Sequence, residues 1–167
     1  MKLHIITLII SFIGLNNFQQ ENEPPKENEV DFRKMAIVDR RNNSFHMGSR
    51  AELEKAFGRV RVVREDAEIY DEGYVDVYKY NGLKVSYYKK NCDGIKINGK
   101  QYRLFINGIA YDVGDNITKL KANFPLSYKH RSESFVRLWI KHSDAYIIFN
   151  YNAKGVIVSI EEEVDNS

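Results

Sequence analysis

The chain writes nearly the same phrase twice, FHMGSRAELEKAFG at residues 45–58 and YDVGDNITKLKANFP at residues 111–125. Phe45, Met47 and Gly48 stand against Tyr111, Val113 and Gly114, so each phrase opens as an alternating apolar stretch that ends at a glycine. A capped amphipathic helix is expected next. Ser49 is placed as an N-cap, with Glu52 three residues on to complete a capping box. Asp115 or Asn116 can cap the second copy. Leu53, Ala56 and Phe57 share one helical face, as do Ile117, Leu120 and Phe124. Gly58 is expected to stop the first helix and Pro125 the second.

The stretch after each helix repeats as well. YVDVYKY (74–80) and LKVSYYKK (83–90) flank Asn81-Gly82, a strong hairpin signal. IKI and KQYRLFI flank Asn98-Gly99, which predicts a second hairpin of the same kind. After the second helix come FVRLWIK (135–141), the turn residues His142-Ser143-Asp144, AYIIFNY (145–151), a turn over 152–155, and VIVSIEEEV. Both halves therefore read as a short helix followed by an antiparallel meander. The expected fold class is α+β: two fused repeats that form one curved sheet with the helices on one face. The alternation places Val75, Val77, Val136, Leu138 and Ile140 toward the helices and Tyr74, Asp76, Tyr78, Tyr80, Phe135, Arg137 and Trp139 away from them. A half of about 60 residues would be marginal alone, so the halves are expected to pack as one body.

The start of the chain belongs to a different pattern. Met1-Lys2 precedes Ile5 to Leu15, an uncharged apolar run too short to span a bilayer, which takes about 20 residues. It matches the apolar region of a secretory signal peptide, assigned to residues 1–20, although 16–20 carry no A-x-A cleavage site. An N-terminal apolar strand is the alternative. No cysteine follows the run to carry a lipid anchor; the chain's one cysteine, Cys92, stands in KKNCDG and reads as a passive loop thiol. Residues 21–31 are polar and acidic with Pro24-Pro25, and read as a disordered linker. The first unit is then assigned to 32–110 and the second to 111–167, in a periplasmic or secreted protein with no stable membrane span.

MGSRAELEKAFG, then a variable stretch, then YKYNGLKVSYY resembles the units of β-lactamase-inhibitor-like proteins and of the related BamE (SmpA/OmlA) type of outer-membrane assembly lipoprotein. Residues 45–107 look like one unit and 111–165 a more diverged second one, with Phe124-Pro125 where the first has Phe57-Gly58. The resemblance implies a cell-envelope or secreted protein that binds other proteins across a concave sheet.

Signatures of chemistry are sparse. The 25 basic and 23 acidic residues leave a formal charge of +2, without the basic excess of a nucleic-acid binder. His46, His130 and His142 are isolated, with no H-x-x-x-H or C-x-x-C spacing, so no metal or other cofactor is expected. Glu65, Asp66, Glu68, Asp71 and Glu72 crowd one segment without EF-hand spacing. Such a run is a solvated loop or a docking patch for a basic partner. Upstream, Arg59, Arg61 and Arg64 alternate with Val60 and Val62 as a charged edge strand, which discourages edge-to-edge pairing. No G-x-S-x-G, no G-x-x-x-x-G-K-[ST] and no G-x-G-x-x-G occurs, and no catalytic residue is assigned.

The candidate site is aromatic. Tyr74, Tyr78, Tyr80, Tyr88, Phe135 and Trp139, with Lys84 and Arg137 among them, are expected on the sheet face away from the helices. Tyr, Trp and Arg are the residue types enriched at protein–protein hot spots. The face is either a partner site or buried by a second sheet or by the packing of the repeats. The expected function is an exported, non-enzymatic protein-binding module that inhibits or neutralises a secreted enzyme or toxin. The alternatives are a cell-envelope assembly or structural factor and a hydrolase with a distributed site.

Overall fold

The structure is a computed structural model and describes residues 26–67 and 73–164. The proposed signal peptide lies outside the described residues, as do Glu68, Asp71 and Glu72 of the acidic run. Strands β1 (Glu29–Val30), β2 (Met35–Asp39) and β3 (Ser44–Phe45) precede helix α1 (Arg50–Phe57). The first meander is β4 (Val62–Asp66), β5 (Tyr74–Tyr80), β6 (Leu83–Tyr88) and β7 (Asn91–Ile97). A hairpin of β8 (Tyr102–Ile106) and β9 (Ile109–Asp112) leads to helices α2 (Leu120–Asn123) and α3 (Pro125–Lys129). The second meander is β10 (Phe135–Ile140), β11 (Ala145–Tyr151) and β12 (Ile157–Val164).

The fold is α+β, built on two sheets rather than one. The larger has the order β1-β10-β11-β12-β7-β6-β5-β4 and is antiparallel except where β1 joins β10. The smaller has the order β3-β2-β8-β9. The repeat is therefore fuller than its helix and meander. Each copy is a hairpin (β2–β3 or β8–β9), a helical segment and a meander. The copies join twice, β2 against β8 in the small sheet and β7 against β12 in the large one. The second copy begins one hairpin earlier than residue 111, near Tyr102. β4 and β1 are additions on the two outer edges of the large sheet.

Both phrases act as read at their opening. Phe45 and Tyr111 are buried at matching positions, followed by buried Leu53 and Leu120. The capping box forms: the Ser49 N–H donates to Glu52 Oε2 at 2.6 Å and the Glu52 N–H to Ser49 Oγ at 3.4 Å. In the second copy Asn116 caps a 3-10 turn (Ile117–Lys119) that leads into α2, accepting from the Thr118 N–H at 3.0 Å. Pro125 does not end the second helical segment. It breaks the run at Phe124 and opens α3, because its missing N–H is tolerated at the first helical position.

Two expectations about the ends of strands are corrected. Asn98-Gly99 makes no hairpin: β7 and β8 lie in different sheets, and the chain crosses between them over 98–101. Asn107-Gly108 makes one instead, with φ of 52° and 80° between Ile106 and Ile109, as a tight turn of primed type requires. The Asn98-Gly99 turn stacks on the Asn81-Gly82 turn, and the Gly82 carbonyl accepts the N–H groups of Asn98 (3.1 Å) and Gly99 (3.2 Å). The stretch read as a disordered linker is ordered at its end. Val30 is its apolar anchor, 1% exposed, and draws β1 onto β10.

One core fills the space between the sheets. Met35, Ile37, Leu104 and Ile106 from the small sheet meet Val85, Ile97, Leu138, Phe149 and Ile160 from the large one. Leu53, Leu120 and Phe124 add the helical faces on the same side. The opposite side of the large sheet is unevenly exposed: Val77, Tyr146 and Ile148 are buried there, whereas Trp139 is open to solvent.

Candidate protein-binding face

Alternation and cross-strand register decide which side chains reach the outer side of the large sheet. Val136, Leu138 and Ile140 of β10 are buried inward, so Phe135, Arg137 and Trp139 face out. Register sets Trp139 opposite Tyr146 and Arg137 opposite Ile148. The Trp139 and Tyr146 rings meet edge to face at 5.2 Å, and the Arg137 guanidinium lies 4.7 Å from the centre of the same Tyr146 ring. Arg137 also forms an ion pair with Glu27 at 2.9 Å, which fixes its plane. Trp139 is 37% exposed while Tyr146 is buried beneath it. The cluster is thus a half-exposed indole and a guanidinium held by a buried ring.

The expected site residues divide between the two sides of the sheet. Phe135, Arg137 and Trp139 come together. Lys84 and Tyr88 lie on the same outer side but on β6, four strands and about 19 Å away. Lys84 is engaged with Glu65 at 2.9 Å, and Tyr88 lies under the Lys89 ammonium at 5.0 Å. Tyr74, Tyr78 and Tyr80 are not part of the face: β5 is turned by one residue from the expected phase. Tyr78 is 4% exposed, edge-on to Tyr87 at 5.5 Å. Tyr80 donates its hydroxyl to the Gly58 carbonyl at 2.9 Å and packs on Phe57 and Tyr102. Tyr74 extends past the edge on that inner side, beside Arg64. Tyrosine and valine both suit a pleated half-buried surface, and YVDVYKY offers one set to each side. The helix decided the matter by supplying an acceptor for the Tyr80 hydroxyl. Val75 and Val77 take the outer side with Lys79, Lys84 and Glu65.

Sequence reasoning passed over Tyr146 and Ile148, the other half of the face. AYIIFNY is apolar at nearly every position, so it carries no alternation from which to read an outward set.

A second feature lies at the seam of the two meanders. β12 pairs with β7 only at Ile160/Ile97 and Glu161/Lys96. Past these, Asp93 bulges out of the β6–β7 register and the strands part. The result is a cleft of about 460 Å³ lined by Glu65, Lys84, Asp93, Lys96, Glu161 and Glu162 among others. Glu161 pairs with Lys96 at 2.7 Å. Glu65 lies between Lys79 and Lys84, whose hydrogen bonds hold its carboxyl below the ordinary range. Glu162 has no such help. Its Oε2 is sealed from solvent without a partner, and burial, then the charge of Asp93, pushes its pKa up to about 7. The neighbouring Cys92 thiol is pushed up to about 12 by burial and then by the Glu162 charge. A thiol so raised is not a nucleophile at neutral pH.

The histidines stay apart. His46 lines a shallow cleft beside α1, His130 follows α3, and His142 sits in the β10–β11 turn. Among the described residues no three His, Cys, Asp or Glu side chains are grouped to hold a metal ion, and no helix is long and apolar enough to cross a membrane.

No family model matches the chain, and no curated protein matches it. Among solved structures it is similar to an extracellular protein containing an SCP domain from Bacillus anthracis, with 11% identity and a TM-score of 0.44. The match covers 71% of this chain and 43% of the other, so the chain spans less than half the length of that protein.

Proposed function

We propose that the chain is an exported, non-catalytic module that binds a partner protein through the outer face of the second meander, and so inhibits or neutralises a secreted enzyme or toxin. The Arg137–Tyr146–Trp139 cluster carries this reading. It combines the three residue types most enriched at binding hot spots on a rigid antiparallel scaffold. Tyr146 pre-orders both neighbours, so little side-chain freedom remains to be lost on association.

The test is affinity capture from envelope and culture fractions with the wild-type chain, Trp139→Ala, and an Ile109→Ser control. Ile109 is 37% exposed on β9, at an edge of the small sheet. Proteins held by wild type and control but released by Trp139→Ala support the reading. Equal recovery by all three overturns it.

A further inference from the structure

The large sheet ends at β4 on one side. β4 pairs with β5 on one side, and among the described residues nothing pairs with it on the other. It is open on both faces as well, with Val62 39% and Val63 36% exposed. The arginines were expected to discourage edge-to-edge pairing, yet a strand bare on two faces and one edge is a template for another strand wherever the register keeps those charges apart.

The direction of its hydrogen bonds can be worked out. The Ala67 N–H donates to the Gly73 carbonyl at 3.1 Å, directly across the same ladder. Bonded pairs alternate in an antiparallel ladder, so Glu65/Val75 and Val63/Val77 are bonded too. The N–H and C=O groups of Val62, Arg64 and Asp66 therefore point toward the free edge.

The charges along this edge are ordered. Arg59, paired with Glu54, and Arg61 stand at its start; Glu65, bridged by Lys79 and Lys84, and Asp66 stand at its end. Arg61 is exposed and has no ion pair among the described residues. An acidic or a basic peptide would suit only half of such an edge; a copy of the same strand running antiparallel suits both halves. The outward groups allow a two-fold register in which Val62 bonds to Arg64 of the second copy. That register sets Val63 against Val63 and Arg61 against Glu65. The arginines that would repel one another in a register centred on Arg64 are offset here.

We propose that β4 pairs antiparallel with β4 of a second copy of this chain, continuing the large sheet across a two-fold axis. The axis stands perpendicular to the sheet, so both outer faces point the same way.

The experiment is sedimentation of the full chain over a wide concentration range, beside two variants. Val62→Pro removes an outward N–H and leaves the β4–β5 bonds in place. Arg61→Glu sets Glu opposite Glu65 and alters only an exposed side chain. A wild-type dimer whose dissociation constant rises about tenfold or more in both variants supports the proposal. Val63→Cys in a Cys92→Ser background is then expected to form a disulfide-linked dimer on mild oxidation, because non-bonded antiparallel pairs bring Cα atoms within about 4.5 Å. A wild-type monomer throughout, an unchanged dimer in Arg61→Glu, or no cross-link at Val63→Cys overturns it.

Discussion

Asn28 and Ser127 bind each other from opposite ends of the sequence: the Asn28 N–H donates to Ser127 Oγ at 2.8 Å, and Asn28 Oδ1 accepts the Ser127 N–H at 3.0 Å. The same Oδ1 takes the Leu126 N–H at 2.9 Å. Helix α3 has no side-chain cap of its own, so Asn28 caps it from 98 residues away. Apart from tyrosines, Ser127 is the one fully buried polar residue among the described residues, at 2% exposure, and its hydroxyl is satisfied through this exchange.

Asn28→Ala is therefore expected to lower stability by about 1–2 kcal/mol, the cost of a lost cap, as a shift in a urea or thermal transition. Ser127→Ala removes the acceptor of the Asn28 N–H, and the double variant is expected to cost less than the sum of the two. Additive losses would mean that the two groups do not act together.

Glu162 predicts a pH dependence of the opposite sign to the usual carboxylate. Its pKa rises from the ordinary 4.5 to about 7 on folding, so the folded state binds more protons between those values. Stability falls as pH rises through that window and is level above it. Glu162→Gln is expected to stabilise the protein by about 2–3 kcal/mol at pH 8, with little effect at pH 4. Melting curves at the two pH values test it; equal shifts at both would not fit.

Much of this architecture is written locally and some of it is not. The capping box, the glycine stops and the period-2 runs depend on residues within one turn or strand, so Ser49–Glu52 and the meanders were legible. The small sheet was not, because β2 finds β8 across the whole first meander and no short window shows that pairing. The phase of β5 failed for a related reason. Tyr78 faces inward because Tyr87 lies there, and Tyr80 because the Gly58 carbonyl does. The face was half legible: FVRLWIK alternates cleanly and marked Phe135, Arg137 and Trp139, whereas AYIIFNY does not alternate and hid Tyr146.

Gly99→Ala tests the stacking of the two turns. A Cβ at Gly99 would come within 2.6 Å of the Gly82 Cα, backbone that cannot swing aside, and within 2.5 Å of the Gln101 side-chain oxygen, which can. The φ at Gly99 is not left-handed, so crowding is the whole effect. A loss of about 1–3 kcal/mol is expected in equilibrium unfolding. Gly58→Ala is a useful contrast: it has open space but a φ of 84°, so its cost comes from the backbone alone.

Tyr78→Ala and Trp139→Ala should separate stability from binding. Emptying the Tyr78 site leaves a cavity beside Tyr87 and is expected to cost about 3–5 kcal/mol. Trp139→Ala, at a half-exposed site, is expected to cost less than about 1 kcal/mol. A large loss of stability in Trp139→Ala would mark it as part of the fold rather than of a surface.

The parallel junction of β1 with β10 sets an order of events. Glu27 meets Arg137 at a separation of 110 residues, and β2 likewise waits for β8. A chain delivered from its N-terminus cannot seat its first strands until nearly all of it has arrived. Closing such long loops costs entropy before the distant contacts reward it, so these pairings are expected to form slowly. β1 is thus expected to dock only after β10 has been made, among the last steps in completing the large sheet.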